Sequence, residues 1–131
     1  MLSHLPLMAI PLVLYNLGVI GLFGTDPWDS QLFLITMISG GTWAMTLGDL
    51  LLVLALILMF VEIMKSTRTS NASLVDHMLS TGVFIIFLVE FLLVAGAASS
   101  IFFLLMLIAL LDVLAGFSVS LRAASRDVNL R

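Results

Sequence analysis

Four acidic side chains lie inside stretches of the chain that are otherwise almost purely apolar, and no Lys or Arg lies within those stretches. A charge inside a bilayer is costly, so an acidic residue in such a stretch is a functional candidate by default. The chemistry it could support is proton binding, cation binding or contact with a base on another protein. The four residues are Asp49, Glu62, Glu90 and Asp112.

Composition indicates that lipid surrounds most of this protein. The chain has 131 residues, of which 62% are hydrophobic and 10% are charged, whereas an ordinary soluble domain is about a quarter charged. We expect a single transmembrane domain covering residues 1–131, because no linker is long enough to divide it. The net charge is −3 and the few basic residues form no run, so we expect no nucleic-acid partner. Cysteine is absent, which excludes thiolate catalysis and Cys-ligated metals.

The apolar runs predict an all-α integral membrane protein, a four-helix bundle with an interfacial segment before the second span. A spanning helix needs about 20 apolar residues, and four runs come close to that length. The predicted spans are residues 5–23, 42–64, 78–97 and 101–121, followed by a polar tail at 122–131.

The second apolar region, residues 31–64, is too long for one span. At 1.5 Å per residue it would extend about 50 Å, against a hydrocarbon core of about 30 Å. Gly40 and Gly41 mark the expected break. We interpret 31–39 as an interfacial or re-entrant piece, with one long tilted helix as the alternative.

Basic residues predict the orientation. Four spans place Lys65 and Arg68 on the same side as Arg122, Arg126 and Arg131. The positive-inside rule makes that side cytoplasmic, so both termini are expected inside. The expected location is therefore a bacterial inner membrane.

Three of the acids are predicted to share one depth. Counting residues from the predicted outer ends places Asp49 about 10 Å deep, Glu90 about 11 Å and Asp112 about 16 Å. Three readings stay open: a proton or cation site, neutral carboxyls that fix helix register, or pairing with bases on another protein. Glu62 is set apart as an interfacial residue, because it lies three residues before Lys65 and the two could pair.

Small residues predict where helices approach closely. Asp112 has Ala109 at i−3 and Gly116 at i+4, so it should face a neighbouring helix. Two further stripes of small residues could each seat a helix within the bundle or in a homodimer. They comprise Gly40, Ala44 and Gly48, and Gly18 with Gly21.

No motif for an enzyme, a cofactor or a metal site is present, so we expect none of the three. The chain instead favours a non-enzymatic accessory or scaffold subunit of a larger membrane complex, with other membrane subunits or a second copy as partners. The alternative is a small oligomeric proton- or cation-coupled transporter or channel whose site is formed by Asp49, Glu90 and Asp112.

The last two spans carry a recognisable pattern: a basic Ser/Thr-rich loop, the pair Asp76-His77, Glu90 in the third span, and the sequence DVLAGF beginning at Asp112. In this pattern the chain resembles small four-helix inner-membrane proteins of proteobacteria. The resemblance implies a membrane fold and location, and it implies no activity.

Overall fold

A computed structural model describes residues 6–22, 24, 27–65 and 71–129 of the chain. Four helices and one two-stranded antiparallel sheet make up this part, with short 3₁₀ turns at Pro27–Asp29 and Ala95–Ala97. In chain order the elements are α1 (Ala9–Val19), β1 (Gln31–Thr36), β2 (Thr42–Thr46), α2 (Leu47–Lys65), α3 (Asn71–Leu93) and α4 (Ser100–Asn129).

Among the described residues, three helices are long and apolar enough to cross a membrane by length and composition, which indicates a membrane protein. The qualifying segments are Leu47–Met64, Val75–Leu93 and Ser100–Val119. These segments match the second, third and fourth predicted spans to within a few residues. The residues predicted as a polar tail continue α4 as far as Asn129.

The first predicted span, 5–23, is represented by a shorter helix. α1 has 11 residues, or about 16 Å, roughly half of a hydrocarbon core. The hydrogen bonds at the C-terminal end of α1 explain why the helix is short. The N–H of Leu22 bonds the carbonyl of Leu17, and the N–H of Gly21 bonds that of Gly18. With Gly21 at φ 93°, this is a Schellman termination. Positions 5 and 23 lie outside the described residues.

The prediction for residues 31–46 was wrong in its secondary structure, although the break at Gly40 and Gly41 is confirmed. Thr36 pairs with Thr42 across a tight turn. The N–H of Gly40 bonds the carbonyl of Met37, and Gly40 adopts φ 91°. The N–H of Met37 also bonds the carbonyl of Gly41, which closes a three-residue loop at 38–40 that needs a left-handed residue at its last position. The chain is therefore not all-α, and α2 begins at Leu47.

The hairpin, the start of α2, the end of α3 and the start of α4 share one end of the molecule, here called the hairpin end. α4 is the central helix, since it makes the most extensive contacts with both α2 and α3, whereas α1 makes few. Aromatic rings fill the core near the hairpin end. Phe102 contacts Phe87 at 5.3 Å and Tyr15 at 4.8 Å between ring centroids. All three are buried, so this cluster fixes α1, α3 and α4 against one another.

Candidate functional site

Asp49 is the N-terminal cap partner of α2. Its carboxylate Oδ2 accepts a hydrogen bond from the N–H of Thr46 at 3.1 Å, and its own N–H donates to Thr46 Oγ1 at 3.1 Å. This reciprocal pair is a capping box, which satisfies two backbone N–H groups that a helix start leaves without partners. The carboxylate therefore has a structural task at the helix start. The spacing T-x-x-D at 46–49 is the signal that could have revealed it.

Glu90 bonds to the first helix. Asn16 donates through Nδ2 to Glu90 Oε1 at 3.0 Å and to the carbonyl of Leu12 at 2.8 Å. The polar partner of Glu90 therefore comes from another helix. Glu90 Oε2 is buried and has no hydrogen-bond partner among the described residues. One amide donor serves this carboxyl in either protonation state, so the contact orients the side chain without fixing its charge.

Tyr15 fastens α1 to the connection between α3 and α4. Its hydroxyl donates to the carbonyl of Gly96 at 3.1 Å and shares a hydrogen bond with Ser99 Oγ at 2.6 Å. Its ring stacks on Trp28, with centroids 5.4 Å apart and an interplanar angle of 9°. Tyr15 carries no local signal in the sequence, because an isolated Tyr in an apolar run is common and its partners are 81 and 84 positions away.

A second polar group lies deeper between the helices. The buried polar or charged residues of the described chain are Glu62 at 7% exposure, Ser80 at 6% and Asp112 at 3%. Ser80 donates through Oγ to Glu62 Oε1 at 3.0 Å. Measured along the helices from the hairpin end, Asp112 is about 18 Å deep, Ser80 about 20 Å and Glu62 about 22 Å. Polar groups of α2, α3 and α4 thus lie at similar depths from the hairpin end.

The three acids predicted at one depth do not share it. Asp49 begins α2 and Glu90 lies three residues before the end of α3, so both are near the hairpin end. Asp112 lies on α4 at the level of Glu62 instead. Glu62 was predicted to be an interfacial residue, but its side chain is buried between helices and accepts a hydrogen bond from Ser80. The predicted depth of Asp49 was wrong because α2 begins five residues later than predicted.

At some of the predicted positions, small residues allow a neighbouring segment to approach closely. A Cβ at Gly18 would lie 2.6 Å from Trp28 Cζ2, and one at Gly48 would lie 2.8 Å from the Trp28 carbonyl oxygen. The absence of a side chain at both glycines therefore leaves the space that the Trp28 segment occupies. Ala109 and Gly116 are buried on α4, on the same stripe as Asp112, as predicted.

The other small-residue predictions were wrong. Gly40 is in the hairpin turn and Ala44 is in β2, so neither shares a helix face with Gly48. Gly21 lies beyond the end of α1, where its positive φ terminates the helix. A small-x-x-x-small spacing marks a packing face only where the whole stretch is helical.

The described residues contain no group of three or more His, Cys, Asp or Glu side chains placed to hold a metal ion. His77 contacts Phe117 edge-on at 5.9 Å between centroids, and its carbonyl accepts a bond from Thr81 Oγ1.

Comparison with sequence-family models, with curated proteins and with solved structures finds no match for this chain.

Proposed function

We propose that this chain is a non-enzymatic accessory or scaffold subunit of a larger assembly in a bacterial inner membrane, with both termini cytoplasmic. The observation that carries the proposal is the hairpin formed by β1 and β2. Its placement at one end of three apolar helices makes it available to a neighbouring membrane subunit.

The hairpin exposes apolar side chains on both of its faces. Consecutive residues of a strand point to opposite faces, and every residue of β1 is exposed. No charged residue occurs between Ser30 and Gly48. Its large exposed hydrophobic residues are each at least 38% accessible, and they are Leu32, Phe33, Leu34, Ile35, Met37, Ile38 and Trp43.

The hairpin on its own is unfavourable both in water and in lipid. Contiguous apolar surface of this kind marks an interaction site in a protein that faces water. In hydrocarbon, each outer strand edge would leave backbone N–H and C=O groups without partners, which is costly. The described sheet has two strands, so both edges are open. Strand addition by another subunit satisfies the edges and covers the faces together.

The hairpin is also built to hold one shape. Gly40 permits the tight turn, and the rings of Phe33 and Trp43 meet edge-on at 5.2 Å between centroids across the two strands. The carbonyl of Ser30 accepts a bond from the N–H of Leu47, which joins the base of the hairpin to α2. A pre-formed edge loses less conformational entropy on binding than a flexible loop does.

Gentle detergent extraction followed by native mass analysis tests the proposal. The wild-type chain should be recovered in an assembly of defined stoichiometry. Leu34→Ser and Ile38→Ser should release it, since both weaken the hairpin surface. The matched control is Ile57→Ser, which removes a comparably exposed side chain from α2 and should leave the assembly intact. A monomer in every detergent, or equal release by all three variants, would contradict the proposal.

A second candidate function is a small oligomeric proton- or cation-coupled transporter. The observation that favours it is the buried level formed by Glu62, Ser80 and Asp112 within helices able to span a membrane. Acidic groups at such a depth are typical of proton and ion pathways. For this candidate function, the proton or cation site comprises Glu62 and Asp112 and replaces the predicted set of Asp49, Glu90 and Asp112.

Flux into reconstituted liposomes under a pH or cation gradient distinguishes this candidate. Glu62→Gln and Asp112→Asn should abolish flux, whereas Asp29→Asn, an exposed carboxylate near the hairpin end, should not. Flux equal to that of empty liposomes would remove the transporter candidate.

A further inference from the structure

Trp28 separates two cavities of different character near the hairpin end. One is a cavity of about 500 Å³ whose wall is formed by Trp28 together with leucines of α1 and α2. The other, of about 470 Å³, has a mixed lining of glycines, apolar side chains that include Val19 and Ile101, and the polar side chains of Tyr15, Asp29 and Ser99, with Trp28 at its wall. Both volumes fall in the range of about 300–1,000 Å³ that small-molecule sites occupy. An apolar slot and a chamber of mixed polarity therefore share Trp28 as a common lining residue.

The apolar slot lies between α1 and α2, which make few contacts with each other. Its leucines include Leu50, which is exposed, and Leu51, which belongs to the core. Because α2 qualifies as a membrane span, the slot opens toward lipid. Its lining offers no charged group, so an acyl chain is the ligand chemistry it accepts.

The polar groups of the chamber are hydrogen-bond acceptors and hydroxyls. The Tyr15 and Ser99 hydroxyls line it, as does Gly96, whose carbonyl already accepts from Tyr15. Among its described lining residues the one charged side chain is that of Asp29, and no Lys or Arg is among them. A headgroup with a primary ammonium has three donors and a positive charge, which complements a carboxylate and hydroxyl oxygens. A phosphate headgroup that lacks an amine would meet no cationic side chain among these described lining residues.

Trp28 is held in place by its neighbours, so the division between slot and chamber is a fixed feature. Its ring stacks on Tyr15, and the absent side chains of Gly18 and Gly48 provide its space. An indole at this position is also where amphipathic aromatic rings gather in membrane proteins. The arrangement matches the polarity of a bound lipid, because the cavity on one side of Trp28 is apolar and the other contains the carboxylate and hydroxyl groups.

We propose that this pair of cavities binds one phospholipid with a primary ammonium headgroup, its acyl chain in the slot between α1 and α2 and its ammonium at Asp29. The site does not involve the hairpin surface, so it stands independently of the proposed assembly.

Native mass analysis of the full chain with added lipid tests the site. Phosphatidylethanolamine, phosphatidylcholine and phosphatidylglycerol of identical acyl chains are the probes. The wild type should retain one phosphatidylethanolamine more strongly than either other lipid. Asp29→Asn should reduce that retention by about tenfold, the effect of losing a charged hydrogen bond, and should not reduce retention of phosphatidylglycerol, whose headgroup carries no cation. Soluble phosphoethanolamine, which has no acyl chain, should not displace the bound lipid.

Two matched variants separate the site from general lipid adhesion. Leu50→Trp fills the slot and should reduce retention of all three lipids, whereas Ile57→Trp, on an exposed part of the same helix, should not. Asp76→Asn removes a carboxylate near the opposite end and should have no effect. Equal retention of the three lipids by the wild type, or unchanged retention in Asp29→Asn, would overturn the proposal.

Discussion

The close approach of Gly18 to Trp28 allows a stability prediction with an internal control of opposite sign. A Cβ at position 18 would lie 2.6 Å from Cζ2 and 2.8 Å from Cε2 of the indole, whereas ordinary contact begins at 3.4 Å. The ring or the helix must therefore shift by about 0.8 Å, and rotating the ring away would break its stack on Tyr15. Overpacking of this kind costs about 1–3 kcal/mol.

The free energy of unfolding of Gly18→Ala should therefore fall by about 1–2 kcal/mol, because a helix-propensity gain below about 1 kcal/mol offsets part of the clash. Gly82→Ala is the control. Gly82 lies inside α3 and a Cβ there would meet nothing within 4 Å. That variant should be more stable than the wild type by about 0.5–1 kcal/mol.

Circular dichroism during titration of mixed micelles with a denaturing detergent measures both changes. The two variants should separate by about 2 kcal/mol with opposite signs. If Gly18→Ala is as stable as Gly82→Ala, then the Trp28 segment does not pack on α1 as described, and the division between slot and chamber fails with it.

Three further predictions follow from single contacts. Glu90→Gln keeps an oxygen that accepts from Asn16 and should leave the free energy of unfolding nearly unchanged, whereas Glu90→Leu should lower it by about 0.6 kcal/mol. A double-mutant cycle with Asn16→Leu should show a coupling energy of that size, and additive losses would argue against the hydrogen bond. Thr46→Ala removes half of the capping box with Asp49 and should cost about 1 kcal/mol in the same unfolding titration; no change would mean that α2 starts elsewhere. Gly40→Ala forces a Cβ into a positive φ and should cost about 1–2 kcal/mol, visible as earlier protease cleavage of the hairpin; unchanged cleavage would argue against the turn.

The long helices could be predicted from the sequence because their signal is local. An uninterrupted apolar run of suitable length predicts a helix able to cross a membrane, and α2, α3 and α4 each contain one. The hairpin could not be predicted in the same way. Residues 31–64 read as one apolar run without a charge until Asp49, and both strand faces are apolar, so no alternation of polar and apolar residues marks β1 or β2.

The candidate site was predicted less well, because its contacts depend on helix rotation and on where each helix begins. The partnership of Asn16 with Glu90 joins residues 74 positions apart, and helical spacing alone does not say which faces meet. Ala109 and Gly116 correctly indicated that Asp112 faces a neighbour, because all three lie on one helix. Glu62 was misassigned, since its distance from the helix end said nothing about the Ser80 hydroxyl on α3.

Site-specific photo-crosslinking from the hairpin tip tests the proposed function most directly. A photoreactive side chain at Ile38, which is fully exposed at the turn, should form a discrete protein adduct of one mass in intact membranes. The same group at Ile57, on the exposed face of α2, should form lipid adducts instead. Lipid adducts at both positions, with no protein adduct from Ile38, would contradict the claim that the hairpin docks another subunit.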